Sequence, residues 1–169
     1  MQRLLVALIG LVIAIPVFAS DLTVALTAAK IRLVKQQEVI SDELYFDIAE
    51  YTKNGLQQFY RVPEKPLHLS ARHLNKIKDF KLWHNTLKEG ESMQVVISFI
   101  EEDNSPWDLD DLIGIIKLRL QNKEGQLITD WNVVNTSNNG WSLNKDDKQR
   151  RFVLTGSGAN YQLDLKLTA

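Results

Sequence analysis

Alternation of apolar and polar residues with a period of two is the feature that most restricts the fold of this chain. Such alternation is typical of strands that bury one face. The clearest example runs from Tyr161 to Leu167, where every second residue is aromatic or aliphatic. No succession of strand, helix and strand appears, which favours an antiparallel sandwich or barrel over a parallel sheet. The runs with this pattern are 22–27, 44–49, 93–100, 116–121 and 161–167, with weaker examples at 128–134 and 151–154.

Turn-forming residues and two helix signals lie between these runs. The run 93–100 is apolar on both faces, which predicts a central strand. Ser70 is placed to cap a short helix with Leu74, Ile77 and Phe80 on one side. Ser105 is placed to cap a single helical turn. The predicted turns are 53–55, 88–90, 122–125, 138–140 and 156–158, and each of them contains glycine.

The first residues predict a cleaved export signal. Arg3 precedes an apolar run at Leu4–Phe18, and Ala19 supplies the small residue expected before a cleavage site. An uncleaved anchor helix is the alternative, although an anchor usually needs about 20 apolar residues. The sequence contains no later stretch of that kind. The predicted organisation is a signal peptide at 1–19 and one domain at 20–169, exported to the periplasm or secreted.

Composition excludes several kinds of chemistry. The net charge is −1, which disfavours a protein held to nucleic acid by its total charge. The chain has no cysteine, so disulfides and thiolate metal sites are excluded. His68, His73 and His84 lack the helical spacing of a zinc protease. Gly156-Ser157-Gly158 is not a nucleophile elbow. We therefore expect a binding module and not an enzyme.

An acidic stretch between two predicted strands is the candidate site. Six carboxylates fall between Glu101 and Asp111 with no basic residue among them. Two such charges about 4 Å apart repel by about 4 kcal/mol at an effective dielectric constant of about 20. Calcium offsets this repulsion, because it takes about six to eight oxygen ligands and tolerates irregular loops. The alternative is a solvated loop in which Asp108 serves the first turn of a short helix.

Five segments of the chain resemble the C2 domain, a sandwich that often binds calcium and phospholipid. The most informative are the strand that ends in Glu101-Glu102-Asp103 and the segment Asp110-Asp111-Leu112-Ile113-Gly114. The other three are Leu22–Leu26 with Ala29 and Ile31 after it, Ser41–Tyr45 and Leu82–Leu87. The resemblance implies an all-β, eight-stranded antiparallel C2-like β-sandwich with one or two short helices in its loops.

The resemblance also implies a calcium site built from the acids of two loops at one end of the sandwich. The implied ligands are Asp42, Glu101, Asp103 and Asp111. Because the third loop is longer than is usual in the family, Asp108 and Asp110 are further candidate ligands. Gln36 stands where a second aspartate of the first loop is expected, and a neutral amide is a weaker calcium ligand.

Other residues suit contact with an anionic phospholipid or a protein partner. Trp107 is placed either to enter a lipid headgroup region or to fold back on the sandwich. A basic segment follows Ser70, and it serves either an anionic membrane or only solvation. Its proposed contact residues are Arg72, Lys76, Lys78 and Lys81. The predicted function is an exported, calcium-dependent module that contacts lipid or protein through its acidic loops. The alternative is a calcium-independent interaction or structural domain.

Overall fold

The computed structural model describes residues 20–36, 42–103, 109–134, 141–142 and 148–169. These residues form antiparallel strands and, within the described part of the chain, one short 3-10 helix at Ala71–Lys76. The strands are β1 (Leu22–Lys35), β2 (Glu43–Thr52), β3 (Gly55–Val62), β4 (Leu69–Ser70), β5 (Phe80–Leu87), β6 (Ser92–Glu101), β7 (Asp111–Lys123), β8 (Gln126–Val134), β9 (Trp141–Ser142), β10 (Gln149–Gly156) and β11 (Ala159–Thr168).

Two antiparallel sheets make up the fold. Sheet A has five strands in the order β5-β1-β11-β10-β9. Sheet B has six strands. Five of them lie side by side in the order β3-β2-β6-β7-β8, and β4 pairs with β2. The prediction of an all-β fold with antiparallel sheets is confirmed, whereas the described residues contain more strands than the eight expected. Two of the additional strands, β4 and β9, have two residues each, which is too few to produce an alternating pattern.

The inner faces of the two sheets supply the core. In β11, Tyr161, Leu163 and Leu165 are fully buried, as their alternation predicts. In β6, Ile97 and Phe99 are buried in the same way, and this strand lies between β2 and β7 as predicted for a central strand. The inner side chains of both sheets form one apolar cluster, which is the arrangement that removes most apolar surface from water.

The helix predicted after Ser70 is shorter than its spacing indicates. It is the 3-10 helix Ala71–Lys76, and Ser70 makes no side-chain cap to it. Leu74 is buried as predicted, but Ile77 follows the helix and Phe80 begins β5. β5 pairs with β1, which places Phe80 opposite Ala28. Phe80 therefore belongs to sheet A and not to the helix that its spacing predicted. The turn predicted at Ser105 lies outside the described residues.

Polar ties close the side of the sandwich where β2 and β3 approach β5. Trp83 of β5 donates its indole Nε1–H to the Glu50 carboxylate of β2, with 2.9 Å between nitrogen and Oε2. Asn85 donates its amide Nδ2 to the same carboxylate at 3.0 Å. The Tyr60 hydroxyl of β3 donates to the Leu82 carbonyl at 3.1 Å. These bonds join sheet B to sheet A on the side where β5 faces β2 and β3.

The described residues contain no helix with the length and hydrophobicity required to traverse a bilayer. The predicted signal peptide at 1–19 lies outside the described residues.

Candidate functional site

Two acidic segments meet at one end of sheet B. Asp42 directly precedes β2, Glu101 is the last residue of β6, and Asp111 is the first residue of β7. Antiparallel register brings these strand ends together, because Glu101 pairs with Leu44 on one side and with Asp111 on the other. The Glu102 amide also donates to the Glu43 carbonyl at 2.7 Å. We call this end of the sandwich the acidic end, formed by Asp42, Glu101, Asp103, Asp110 and Asp111.

Three of its carboxylates converge. One oxygen atom from each of Glu101, Asp103 and Asp111 can be chosen so that all three lie within 4.8 Å of one another. The Glu101 side chain is fully buried, and the other two are partly buried. Two oxygens bound to one calcium ion at about 2.3–2.6 Å lie at most about 5 Å apart. The spacing of this group is therefore that of ligands to a single ion.

Asp42 lies on the inner side of the acidic end, outside that group of three. Its carboxylate is fully buried and accepts a hydrogen bond from the Tyr161 hydroxyl of sheet A. Burial, this hydrogen bond and the negative charges of Asp42 and Glu101 raise the pKa of Tyr161 above its ordinary value. The hydroxyl of Tyr161 consequently stays protonated and remains a donor to Asp42.

A second residue of sheet A reaches the acidic end from the turn between β10 and β11. Ser157 donates its hydroxyl to Oδ1 of Asp111 at 2.9 Å. Gly156 beside it lies so close to β7 that a Cβ atom there would be 2.5 Å from the Leu112 carbonyl oxygen. This close approach of the two sheets brings Ser157 within reach of Asp111 and fixes one side of the acidic end.

Asp110 is held on the outer face of sheet B. Tyr45 of β2 donates its hydroxyl to Oδ2 of Asp110 at 2.6 Å, and the Asp103 amide donates to Oδ1 at 3.2 Å. Burial and the bond to Asp110 raise the pKa of Tyr45, so this hydroxyl also remains a donor. The contacts orient Asp110 and tie the start of β7 to the loop that follows β6.

A cation borders the acidic end on β3. Arg61 donates through both terminal nitrogens to the Glu102 carboxylate, and its guanidinium carbon lies 3.7 Å from the centre of the Tyr45 ring. The hydrogen bond from Arg61 lowers the pKa of Glu102. Lys65 lies 3.7 Å from the same carboxylate. Glu102 is therefore neutralised by basic neighbours.

The other predicted residues lie elsewhere. Asp108 and Trp107 are outside the described residues. Gln36 directly follows β1. His68 lies 3.3 Å from the Glu43 carboxylate, so this histidine contacts an acid at the same end of sheet B. The predicted basic contacts are all exposed, on the 3-10 helix, after it or on β5: Arg72, Lys76, Lys78 and Lys81.

Sequence reasoning missed the residues that hold the acids in place. Tyr161 and Asp42 are 119 positions apart, and Tyr45 and Asp110 are 65 apart. No local spacing relates such partners, because only strand pairing brings them together. Tyr161 did carry one signal, since it is the single residue with a polar group among the inward positions of an otherwise aliphatic strand.

No protein-family model matches this chain. No curated protein is significantly similar to it in sequence.

Proposed function

We propose that this protein is a C2-like binding module that holds a calcium ion at its acidic end. The ligands are the carboxylates of Glu101, Asp103 and Asp111. The observation that carries the proposal is the convergence of these three groups within 4.8 Å at the junction of β6 and β7. Antiparallel sheets with acids from two loops at one end also agree with the family that the sequence resembles.

Electrostatics favours a cation over an empty cluster. Each pair of unit charges about 4–5 Å apart repels by about 3–4 kcal/mol at an effective dielectric constant of about 20. Glu101 and Asp42 are both fully buried at this end of the sandwich. A carboxylate removed from water needs hydrogen bonds or a positive charge to remain ionised. A divalent ion among the three carboxylates offsets their mutual repulsion.

The donor set selects among metals. All three groups offer carboxylate oxygens, and no histidine belongs to the group. Oxygen ligands suit calcium and magnesium, whereas zinc and copper favour nitrogen and sulfur. Magnesium demands near-ideal octahedral geometry at about 2.0–2.1 Å, while calcium accepts irregular arrangements of loop residues. A site assembled from a strand end, a loop and a strand start therefore suits calcium.

The bound ion gives the module its partner chemistry. It converts a negatively charged end into one that can coordinate a phosphate or a carboxylate from outside. Anionic phospholipid headgroups and acidic groups of a protein both offer such oxygens. The acidic end is the contact surface in this proposal, and Asp110 lies beside the three ligands on its exposed side.

A second candidate function is a calcium-independent interaction or structural domain of the same fold. The observation that favours it is the set of hydrogen bonds that the acids already receive. Tyr161 donates to Asp42, Tyr45 to Asp110 and Ser157 to Asp111. In this function the acidic end is held together by hydroxyl groups and strand pairing, and its remaining charge is solvated.

Calcium titration of thermal unfolding separates the two. An ion at about 100 times its dissociation constant stabilises the folded state by about 2.7 kcal/mol. For a domain of this size the melting temperature then rises by about 5–10 °C. The double variant Asp103→Asn/Asp111→Asn should lose the rise. The matched control Asp79→Asn/Asp130→Asn removes two exposed carboxylates elsewhere and should keep it.

A melting temperature that does not respond to millimolar calcium contradicts the calcium proposal and leaves the second candidate. The same conclusion follows if the control variant loses the response together with the double variant, because the effect is then one of total charge.

A further inference from the structure

Three cavities join into one groove on sheet B, at the end opposite to the acidic end. The first, of about 460 Å³, lies between the turn from β2 to β3 and the turn from β5 to β6. The second, of about 340 Å³, shares Thr52, Lys53 and Ser92 with the first. The third, of about 70 Å³, shares Gln94 and Arg119 with the second and extends to β8. We call these cavities together the cross-strand groove, and its lining includes Tyr51, Gln57, Gln94, Lys117, Arg119 and Asn132.

Strand register sets the floor of this groove. Tyr51, Gln94, Arg119 and Asp130 are direct cross-strand neighbours on β2, β6, β7 and β8. Their side chains lie on the outer face of sheet B, because Leu118 beside Arg119 is fully buried in the core. Adjacent strands are about 4.8 Å apart, so this row is about 14 Å long. A ligand that contacts the whole row must therefore be extended.

An apolar patch borders the groove on β2 and β3. Tyr51, Leu56 and Phe59 are 37%, 54% and 63% exposed. Leu56 pairs with Tyr51, and Phe59 pairs with Ala49 in the neighbouring row of the same face. Tyr51 and Phe59 thus lie diagonally across two strands, and each aromatic ring offers a flat apolar surface. Exposed apolar patches with a polar rim are typical of binding sites.

The polar part of the groove is rich in side-chain amides. Asn54, Gln57, Gln94 and Asn132 line it, and each amide carries both a donor nitrogen and an acceptor oxygen. The hydroxyl group of a ligand also donates and accepts, so it matches both halves of an amide. A phosphate or a carboxylate only accepts, and it would leave the amide oxygens without a donor. The groove therefore favours a ligand with many hydroxyl groups.

The charge of the groove is close to balanced. Its described lining contains four cations and three acids, which are Lys53, Lys88, Lys117, Arg119, Glu89, Glu91 and Asp130. Glu89 accepts hydrogen bonds from the Glu124 and Gly125 amides, and Glu91 accepts one from the Lys88 amide, so these acids brace the turns beside the groove. A polyanion would meet three like charges along its path, whereas an uncharged ligand meets no such repulsion.

A peptide strand or a nucleic acid suits this arrangement less well. A peptide that extends a sheet needs an open strand edge, but the groove crosses β6 and β7, which are paired on both sides. A nucleic acid is held mainly through its phosphates, and the acids of the lining oppose such contacts.

We propose that the cross-strand groove binds a neutral oligosaccharide, either as a free chain or as part of a polysaccharide. A pyranose ring has an apolar face of C–H groups and a rim of hydroxyl groups. In the proposed complex the C–H faces pack on Tyr51 and Phe59, and the hydroxyl groups bond to Gln94, Arg119 and Asn132. An apolar surface with a few polar groups that fix orientation is the usual composition of a ligand site. The groove shares no residue with the acidic end, so the inference does not rest on the calcium proposal.

Native electrophoresis through gels that contain a soluble neutral polysaccharide tests the proposal, with chelator present. The probes are hydroxyethyl cellulose, galactomannan, mixed-linkage β-glucan and dextran, and at least one of them should retard the protein. Isothermal titration calorimetry with that polysaccharide then gives the dissociation constant at two salt concentrations. The constant should change by less than about twofold between about 0.1 M and about 1 M salt, although the Debye length falls from about 10 Å to about 3 Å.

Two variants locate the site. Tyr51→Ala/Phe59→Ala should weaken binding at least about 10-fold, because two stacking surfaces are lost. Gln94→Ala/Asn132→Ala leaves the apolar patch intact and should weaken binding at least about fivefold. The matched control Leu33→Ala/Leu67→Ala removes side chains that are 37% and 64% exposed elsewhere, and it should bind like the parent. Thermal unfolding establishes that each variant is folded.

Several results would overturn the proposal. One is the absence of retardation by all four polysaccharides, and another is equal loss of binding in the control variant. Binding to polygalacturonate alone, with release at high salt, overturns the neutral ligand and indicates an anionic one. A dimer in sedimentation that Tyr51→Ala/Phe59→Ala dissociates, without polysaccharide binding, makes the apolar patch an interface between copies.

The outcomes also separate this inference from the calcium proposal. Retardation in chelator without a calcium-induced melting shift supports the groove and refutes only the calcium site. A calcium shift without retardation does the reverse.

Discussion

The buried carboxylate of Glu50 offers a direct test of how the two sheets are held together. Glu50 is 4% exposed and Trp83 is 1% exposed, so water does not compete for the bond between them. The carboxylate accepts from the Trp83 indole at 2.9 Å and from the Asn85 amide at 3.0 Å. Hydrogen bonds to a charged group contribute about 1.5–3 kcal/mol each. Glu50→Gln should therefore lower the free energy of unfolding by about 1.5–3 kcal/mol.

The geometry explains why glutamine cannot replace glutamate here. Glutamine has one acceptor oxygen and one NH2 group in place of the two carboxylate oxygens. Its NH2 group would therefore face the N–H of Trp83 or of Asn85, and a donor would meet a donor. Asn85 cannot rotate its side-chain oxygen toward residue 50 without loss, because that oxygen accepts the Thr86 amide at 2.7 Å. Glu50→Ala is more severe, since both donors lose their acceptor at about 1–3 kcal/mol each.

Urea unfolding followed by tryptophan fluorescence measures the effect, with Glu64→Gln as the exposed control at less than about 0.5 kcal/mol. A double-mutant cycle of Glu50→Gln with Asn85→Ala should show coupling of about 0.5–3 kcal/mol. The reasoning is refuted if Glu50→Gln unfolds at the urea concentration of the parent, or if the two substitutions add without coupling.

Two further predictions concern sheet A and the approach of the sheets. Arg151 lowers the pKa of Asp164 from its ordinary value of 3.8, so the stability from this pair is present above that pH and lost as the pH falls below it. Asp164→Asn should lower the urea midpoint at neutral pH and approach the parent in acid; a constant difference would contradict this. Gly156→Ala should cost about 1–3 kcal/mol, because the new Cβ meets backbone oxygens at 2.5 Å and 2.7 Å. For Gly114→Ala the three atoms nearest the new Cβ all belong to the Leu154 side chain, at 3.0 Å or more, so this substitution should cost less in the same urea assay.

The strands that could be predicted are those whose two faces differ. β11 alternates between buried leucines and polar residues, and the central strand β6 alternates between buried residues on its inner face and partly buried residues on its outer face. β3 could not be predicted. It lies at the edge of sheet B, and its first five residues are all exposed, whichever face of the sheet they lie on. Burial produces the sequence pattern, so an edge strand with little burial leaves none.

β5 escaped prediction for a different reason. Leu74, Ile77 and Phe80 have helical spacing, yet the helix ends at Lys76 and Phe80 pairs with β1. Short apolar spacings are shared by helices and by loops that lead into strands, and tertiary pairing decides between them. Tertiary pairing also decides the arrangement of the acidic end, and the sequence does not show that pairing. Its acids were visible in the sequence, but the hydroxyls of Tyr45 and Tyr161 that hold two of them come from distant strands.

Charge shows most clearly what the sequence alone cannot supply. A net charge of −1 excludes only interactions that act through total charge. In salt water the range of a charge is about 10 Å at 0.1 M, so a partner experiences the local surface and not the sum. Strand register collects Lys30, Lys81 and Lys166 on one face, and it collects Glu101 and Asp111 at one end. A nearly neutral chain can therefore present two strongly charged surfaces of opposite sign.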